Sequence, residues 1–244
     1  MLENGDIEEF EWIKNGIEII ISSTDENYRG NIVGNLLPNN FSRYIKILHP
    51  MYKDKLFTDR STLWAEDVCD EAVLGERILW RQLALEYNVE FRPEINTYAF
   101  FKENGRRWPR YLLAPDEGTL EKEQIDEITS ILRPLNCEKY FFYYDWLKTL
   151  DWSQDKLFKG SLEDIYELMK LEELRDAFGE NEKFSPSYWW DLNKTICICT
   201  DYDLEFTVVG CNNELFTRFI NSKSLECIEI KYDTRIDYKA MERR

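Results

Sequence analysis

Three carboxylates spaced by two residues form the sharpest candidate site in the sequence: Asp201, Asp203 and Glu205. If this segment is extended, the three side chains project from one face, because alternate residues of a strand share a face. Such a group suits a hard cation, acid–base catalysis or a basic partner. The segment departs from a calcium-binding loop, since Phe206 replaces the turn glycine and Asn212 the bidentate glutamate. Like charges this close repel one another, so we predict an acidic edge that faces solvent or a partner, and no metal site.

Two adjacent tryptophans, Trp189 and Trp190, lie in a dense aromatic run before this segment. If the run is extended, consecutive side chains point to opposite faces, and we expect one ring to be exposed. Trp and Tyr often dominate the binding energy of protein interfaces. Burial of both rings under neighbouring loops is the alternative. We assign partner binding to Asp201, Asp203, Glu205, Trp189 and Trp190.

The single histidine, His49, is the side chain best suited to acid–base chemistry near neutral pH. It directly precedes Pro50, and a partly buried imidazole that bonds a backbone carbonyl is the simplest interpretation. A hydrolytic triad would need a nucleophile beside it, but the sequence has no Gly-x-Ser-x-Gly motif and no recognisable catalytic cysteine signature. We therefore assign no catalytic residue. Enzymatic use of His49 with Asp203 or Glu205 stays the second hypothesis.

One concentrated basic cluster stands out in this acidic chain, around Trp108 and Pro109. Its members are Arg106, Arg107 and Arg110. Guanidinium groups pair with carboxylates and with other anions in a planar, two-pronged geometry. We favour pairing with acidic groups of the chain itself and keep anion binding by this cluster as the alternative.

The composition limits the classes of partner and the compartment. With 47 Asp and Glu against 31 Lys and Arg, the formal net charge is -16, which repels nucleic acid and anionic membranes and attracts basic proteins. The N-terminus lacks the basic and apolar segments of a signal peptide, and the longest aliphatic run, Ile19–Ile21, is too short to cross a bilayer. We therefore predict a cytoplasmic protein with a basic protein partner, without a nucleic-acid or membrane partner and without a cofactor.

Six cysteines are scattered along a chain that is too long to need disulfide staples. Cys197 and Cys199 alternate with isoleucines, so both thiols share one face of a predicted strand. No second closely spaced pair completes a tetrahedral zinc site. We predict reduced cysteines, with Cys197 and Cys199 as small core residues.

Hydrophobic periodicity and turn residues divide the chain into strands and helices without a strict βαβ rhythm. The sequence predicts an α+β fold with a mixed, mainly antiparallel sheet flanked by amphipathic helices, in a single domain over 1–244 or in two tightly packed halves, 1–115 and 116–244. The predicted strands are Gly16–Ser22, Tyr140–Trp146, Thr195–Asp201, Glu205–Val209 and Leu225–Ile230. The predicted helices are Phe41–Leu48, a helix from Ser61 or Thr62 to Val73, Glu76–Tyr87, Thr119–Leu132, a long helix from Ser161 that Gly179 ends, and a short one that Asn213 caps and that runs through Ile220.

Several distinct short motifs are distributed along most of the chain. They are Leu37-Pro38, Phe41-x-x-Tyr44, Leu48-His49-Pro50, Gly118-x-Leu120, Trp189-Trp190 and Asp203-x-x-x-Thr207-x-x-Gly210. In this order they resemble a family of uncharacterised bacterial proteins, from which the chain departs at Asp191-Leu192 and at Cys211. The stretch Leu37–Leu48 resembles the opening of SUKH-type proteins, α+β proteins of which many are immunity proteins. That resemblance implies a toxin domain as the partner.

The leading functional hypothesis is a non-enzymatic, acidic protein-binding module, with neutralisation of a basic toxin as the form that the SUKH resemblance implies. An enzyme of unrecognised type, which uses His49 and acidic residues, is the first alternative. A small-ligand sensor built around the aromatic groups Tyr140–Trp146 and Tyr188–Trp190 is the other.

Overall fold

The chain's computed structural model describes residues 2–20, 28, 30–57, 59–64, 72–100, 108–149, 154–171, 174 and 184–241. Within these ranges the strands are β1 (Glu3–Asn4), β2 (Arg43–Leu48), β3 (Met51–Asp54), β4 (Leu74–Ile78), β5 (Leu112–Leu113), β6 (Tyr140–Tyr144), β7 (Lys156–Gly160), β8 (Tyr188–Asp191), β9 (Ile196–Cys199), β10 (Phe206–Cys211) and β11 (Glu226–Ile230). The helices are α1 (Glu11–Lys14), α2 (Trp80–Glu86), α3 (Lys122–Leu132), α4 (Ile165–Leu168) and α5 (Asn213–Ile220). Among the described residues, every helix is too short or too polar to span a lipid bilayer.

The strands form two antiparallel sheets. The large sheet has eight strands in the order β1-β7-β6-β8-β9-β10-β2-β11, and the small sheet has three in the order β4-β3-β5. Every described ladder in both sheets is antiparallel. With the helices on either side, this arrangement confirms the predicted α+β class.

The large sheet is covered on both faces, and strand β6 shows why its sequence is continuously aromatic. All five of its residues are buried. Phe141 and Tyr143 point to one hydrophobic core, whereas Tyr140, Phe142 and Tyr144 point to the other. Strands buried on both faces lose the apolar–polar alternation of a half-exposed strand. The prediction that this run is a central strand is confirmed.

Different elements cover the two faces of the large sheet. Helices α3, α4 and α5 pack on one face, through side chains such as Ile125, Ile165 and Leu215. Helices α1 and α2 and the small sheet pack on the other, through side chains such as Ile13 and Trp80. The large sheet is thus the middle layer of the protein, between two different sets of covering elements.

The prediction of a helix over Phe41–Leu48 is wrong. This stretch forms β2, which lies between β10 and β11 in the large sheet. The helical spacing of Phe41, Tyr44, Ile45 and Leu48 is misleading because the strand is buried on both faces. Tyr44 and Leu48 belong to one core and Ile45 and Ile47 to the other. Periodicity alone cannot tell a short strand of this kind from a buried helix.

Three other predicted elements differ from the structure or lie partly outside the described residues. The predicted strand Gly16–Ser22 is irregular over 16–20, and 21–22 lie outside the described residues. The helix predicted over Glu76–Tyr87 begins only at Trp80, because Leu74–Ile78 pair with β3 instead. The helix predicted from Ser61 is not helical over 61–64, where Leu63 bridges to Pro109, and 65–71 lie outside the described residues.

Most of the remaining predicted elements occur, with shifted ends. Helix α3 begins at Lys122, with Glu121 and Gln124 as its capping box, whereas the Thr119 hydroxyl accepts a hydrogen bond from the Ser185 N–H. The Ser161–Asp164 capping box is present, but the prediction of a long helix after it is wrong over the described residues. A 3-10 turn leads into α4, which ends at Leu168, and 169–171 are not helical; Gly179 lies outside the described residues. Strands β9, β10 and β11 and helix α5 confirm the predicted order of the C-terminal segment, although Asn212 caps α5.

Candidate functional site

The turn between β9 and β10 carries the three predicted carboxylates, but it does not keep them on one face. Residues 202 and 203 form a turn, and the Leu204 N–H donates to the carbonyl of Asp201 over 3.2 Å. Because the backbone reverses here, the expectation of an extended segment is wrong. The partly buried Asp201, the exposed Asp203 and the partly buried Glu205 therefore have separate environments.

Asp201 turns toward the interior of the protein. Burial raises the pKa of its carboxyl, and this effect outweighs a hydrogen bond from the Asp203 N–H and the charge of Lys148. Lys148 is itself buried, and its ammonium donates to the carbonyls of Thr200 (2.6 Å) and Ser185 (3.3 Å). An internal cation thus already compensates part of the charge of Asp201.

Asp203 and Glu205 line a cleft of about 360 Å³ together with a third carboxylate, Glu117. Aromatic rings from Tyr98, Phe206 and Tyr238 form part of its walls. Neither lysine nor arginine is among the described residues that line it. We refer to this site as the acidic cleft.

A glycine turn brings Glu117 to the cleft. Gly118 has a φ of 70°, a left-handed conformation that glycine adopts without steric cost. Its N–H donates to the carbonyl of Leu204 over 2.9 Å, which ties this turn to the β9–β10 turn. Burial, and then the negative charge of Asp203, raise the pKa of Glu117. The two carboxylates therefore repel each other across the cleft.

The opposite wall consists of a short helical turn and the C-terminal segment. The side chain of Asn96 accepts from the Ala99 N–H at the start of a 3-10 helix, Thr97–Ala99, and donates to the carbonyl of Asp237 over 3.2 Å. The rings of Tyr98 and Tyr238 lie 5.3 Å apart at an angle of 57°. Lys239 places its ammonium 5.2 Å from the centroid of the Tyr238 ring. Carboxylates beside aromatic faces suit a cationic group.

Both predicted interface tryptophans are buried. Trp189 and Trp190 are each 1% exposed, so the expectation that one ring is exposed is wrong. Trp190 stacks on Phe141 with ring centroids 5.2 Å apart, and Trp189 lies against Phe142 on the other face of the sheet. The side chains do alternate as predicted, but each face of the sheet has its own cover. The two rings therefore contribute to the cores and do not reach the cleft.

His49 is fully buried and lies outside the lining of the cleft. Its Nδ1 lies 2.6 Å from the carbonyl oxygen of Asp116, and its Nε2 lies 3.0 Å from the hydroxyl of Thr207. A carbonyl only accepts, so Nδ1 carries the proton and Nε2 accepts from Thr207. Burial lowers the pKa of His49 to about 4. The predicted bond to a backbone carbonyl is confirmed, and both ring nitrogens are occupied by the protein's own groups.

Arg110 is the member of the basic cluster that the structure describes; Arg106 and Arg107 lie outside the described residues. Its buried guanidinium forms an ion pair with Asp54 and lies 3.7 Å from the Phe57 ring centroid and 3.8 Å from that of Trp64. Burial acts to raise the pKa of Asp54, but hydrogen bonds from the Leu56 N–H and from Arg110 outweigh it and lower that pKa. Internal pairing is confirmed for Arg110.

The cysteines of the described ranges are free. Cys197, Cys199 and Cys211 are buried, which confirms the core position of the first two, and burial raises the pKa of each thiol. Within the described part of the chain, no group of three or more His, Cys, Asp or Glu side chains is arranged to hold a metal ion.

Sequence reasoning missed Glu117, Tyr98 and Tyr238. They come from three distant segments and meet Asp203 only after the chain has folded. The one local signal is Gly118, a residue of the turn that orients Glu117. Comparison with known proteins adds no further functional residues: no protein-family model, no curated protein and no solved structure matches this chain.

Proposed function

We propose that this chain is a non-enzymatic protein-binding module whose acidic cleft accepts a cationic side chain of a basic protein partner. One observation carries the proposal. Two exposed glutamate and aspartate side chains, Glu117 and Asp203, and the partly buried Glu205 line a single cleft together with Tyr98 and Tyr238, and none of its described lining residues is basic.

The electrostatics of the cleft support a cationic ligand. The charge of Asp203 helps to raise the pKa of Glu117, so a cation bound between them would relieve a repulsion that the free protein carries. The faces of tyrosine rings attract guanidinium and ammonium groups by their quadrupole. A net charge of -16 would also steer a basic partner toward the protein and speed its association.

The environment of His49 supports a binding function over the enzymatic alternative. The imidazole is buried, is bonded through both nitrogens and is not among the residues that line the cleft, although the backbone N–H of His49 donates to the carbonyl of the lining residue Glu205 over 3.1 Å. A general base must come within hydrogen-bond reach of its substrate, and this ring does not reach the cleft. The carboxylates at the cleft thus carry the proposal without His49.

The resemblance of Leu37–Leu48 to SUKH-type proteins supports one form of this function, which is the neutralisation of a basic toxin domain. Such a domain would insert a lysine or arginine side chain into the acidic cleft and would be blocked by the surface around it. A small organic cation is the second candidate ligand, because a volume of about 360 Å³ lies within the usual range of small-molecule pockets.

The test is binding of the purified toxin-like product of a neighbouring gene, measured by calorimetry at several salt concentrations. The cleft variant is the double substitution Glu117→Lys and Asp203→Lys, at two exposed positions. Reversing both charges should weaken binding by about tenfold or more and reduce its salt dependence. Co-expression with the wild-type protein should also rescue growth from the toxin, and the cleft variant should lose this rescue.

The matched control is Glu138→Lys, an exposed glutamate before β6. It lies at the end of the sheet where Tyr140 pairs with Asp191, opposite the β9–β10 turn. Equal weakening in control and cleft variants, or binding that the cleft variant retains, would refute the proposal. Binding of arginine alone with no affinity for any basic protein would favour the small-ligand candidate.

A further inference from the structure

A buried lysine lies under the floor of the acidic cleft. Lys46, in the middle of β2, is 0% exposed, and its ammonium lies 3.9 Å from the centroid of the Phe206 ring. The same ammonium donates a hydrogen bond to the carbonyl of Ile95. A charge without solvent is costly unless polar groups of the protein compensate it, so Lys46 needs the Ile95 carbonyl to stay in place.

A carboxylate holds the same segment two residues further on. Glu205 accepts hydrogen bonds from the Thr97 N–H, over 2.6 Å, and from the Thr97 hydroxyl. The cation therefore holds a carbonyl of the segment 95–98, and the anion holds an N–H and a hydroxyl. This segment contains Tyr98, one of the rings of the cleft wall.

We infer that Lys46 and Glu205 are a pair of positioning residues that latch the segment 95–98 onto the large sheet and so hold Tyr98 in the wall of the cleft. The inference rests on the proposed function in that this wall belongs to the binding cleft. Glu205 then positions the wall through Thr97, and Glu117 and Asp203 are the carboxylates that contact the ligand.

The charges around the latch make it sensitive to pH. Burial lowers the pKa of Lys46 to about 8, against the opposing attraction of Glu205 and Glu94. Burial also raises the pKa of Glu205, against the hydrogen bonds of Thr97 and the charge of Lys46, and Glu117 raises it further. The latch is therefore strongest when Lys46 is protonated and Glu205 ionised. It weakens as pH rises through about 8 and again in acid.

Hydrogen–deuterium exchange of the wall tests the latch in the variants Lys46→Met and Glu205→Gln. Each should speed exchange over 95–98 by about tenfold or more, because a hydrogen bond to a charged group is lost, while exchange in α3 stays at the wild-type rate. In the wild type, exchange corrected for base catalysis should rise above about pH 8, the pKa of Lys46. Lys46→Met should abolish that rise.

The milder variant Thr97→Val keeps both buried charges and the backbone N–H while removing the hydroxyl donor, so it tests the latch even where a charge variant does not fold. Wall exchange that stays within about twofold of the wild type in the folded variants, or that rises equally in α3, would overturn the inference. The measurement needs no ligand. If exchange over 95–98 speeds up in the variants but no protein partner is found, the proposed function is refuted and the latch stands. If a partner binds but exchange over 95–98 is unchanged in Lys46→Met, the latch is refuted and the proposed function stands.

Discussion

Buried cations in this protein are compensated by specific groups, and this leaves negative charge at the surface. Lys148 and Lys46 each bond backbone carbonyls, and Arg110 bonds Asp54. Glu117 and Asp203, by contrast, are exposed. These two carboxylates therefore lie where a partner can reach them.

The pKa of His49 can be measured directly because the chain has one histidine. Burial lowers this pKa from its usual 6.5 to about 4. Between these values the unfolded chain binds the proton and the folded chain does not, so stability is lost as pH falls from 6.5 toward 4, by about 3 kcal/mol at most. The imidazole proton resonance should titrate near pH 4 in the folded protein. A midpoint near 6.5 would show that the ring is exposed.

Breaking the ion pair of Arg110 and Asp54 should be costly. Both side chains are buried, so Arg110→Met leaves the Asp54 carboxylate with backbone N–H donors but without its cation, and it should lower the free energy of unfolding by about 3–5 kcal/mol. Asp54→Leu should lower the free energy of unfolding by a similar amount, because it leaves the buried Arg110 guanidinium without its carboxylate. The double variant removes both charges and should regain most of the loss, as measured by urea denaturation. Additive losses in the double variant would show that the two residues act independently.

Elements with a distinctive sequence signature were predicted correctly, whereas those decided by distant partners were not. A continuous aromatic run predicts strand β6, and apolar residues at helical spacing predict helix α3. Strand β2 was not predicted, because its pairing with β10 and β11 overrides a spacing that is typical of a helix. The strand predicted around Ile19 is absent for the same reason. No described strand pairs with this segment, and Ile19 is 88% exposed.

The turn at Gly118 connects two sides of the acidic cleft and should tolerate substitution poorly. A Cβ at this position would lie 2.5 Å from the carbonyl oxygen of Tyr202, and the φ of 70° strains any other residue. Gly118→Ala should lower the free energy of unfolding by about 1–3 kcal/mol and should weaken binding at the cleft. Gly118→Asn separates the two causes, because asparagine tolerates positive φ better. Equal losses would assign the cost to the Tyr202 contact, and wild-type stability in both would refute the argument.

At the scale of the molecule, the acidic cleft is a product of the tertiary fold. Its lining comes from residues 96–98, 117, 203–206, 236 and 238, which no local pattern connects. Asp203 and Glu205 were predicted as site residues because their spacing is visible in the sequence. Their partners in the cleft depend on how the segment 96–98, the Gly118 turn and the C-terminal segment pack around the β9–β10 turn, and this information is spread along the chain.

The topology also bears on how the chain folds. Residues 1–115 supply β1 and β2 to the large sheet, and residues 116–244 supply its other six strands. Strand β2 lies between β10 and β11, and it is the only described partner of β11. Neither half therefore contains the complete large sheet, although 1–115 contains the whole small sheet, and separating the halves between 115 and 116 would expose the edges of β2, β10 and β11.

We expect that fragments 1–115 and 116–244 do not fold when each is expressed alone, because β10 and β11 each pair along one edge with β2, which the cut places in the other fragment. Near-ultraviolet circular dichroism and dispersed amide resonances report packed structure in each fragment, with the full chain as the reference. Mixing the fragments should restore part of both signals.

In the intact chain, tryptophan fluorescence and far-ultraviolet circular dichroism should give coincident urea transitions, since one sheet unites both halves. A fragment 116–244 that unfolds cooperatively by itself would show that the first half is dispensable for the core.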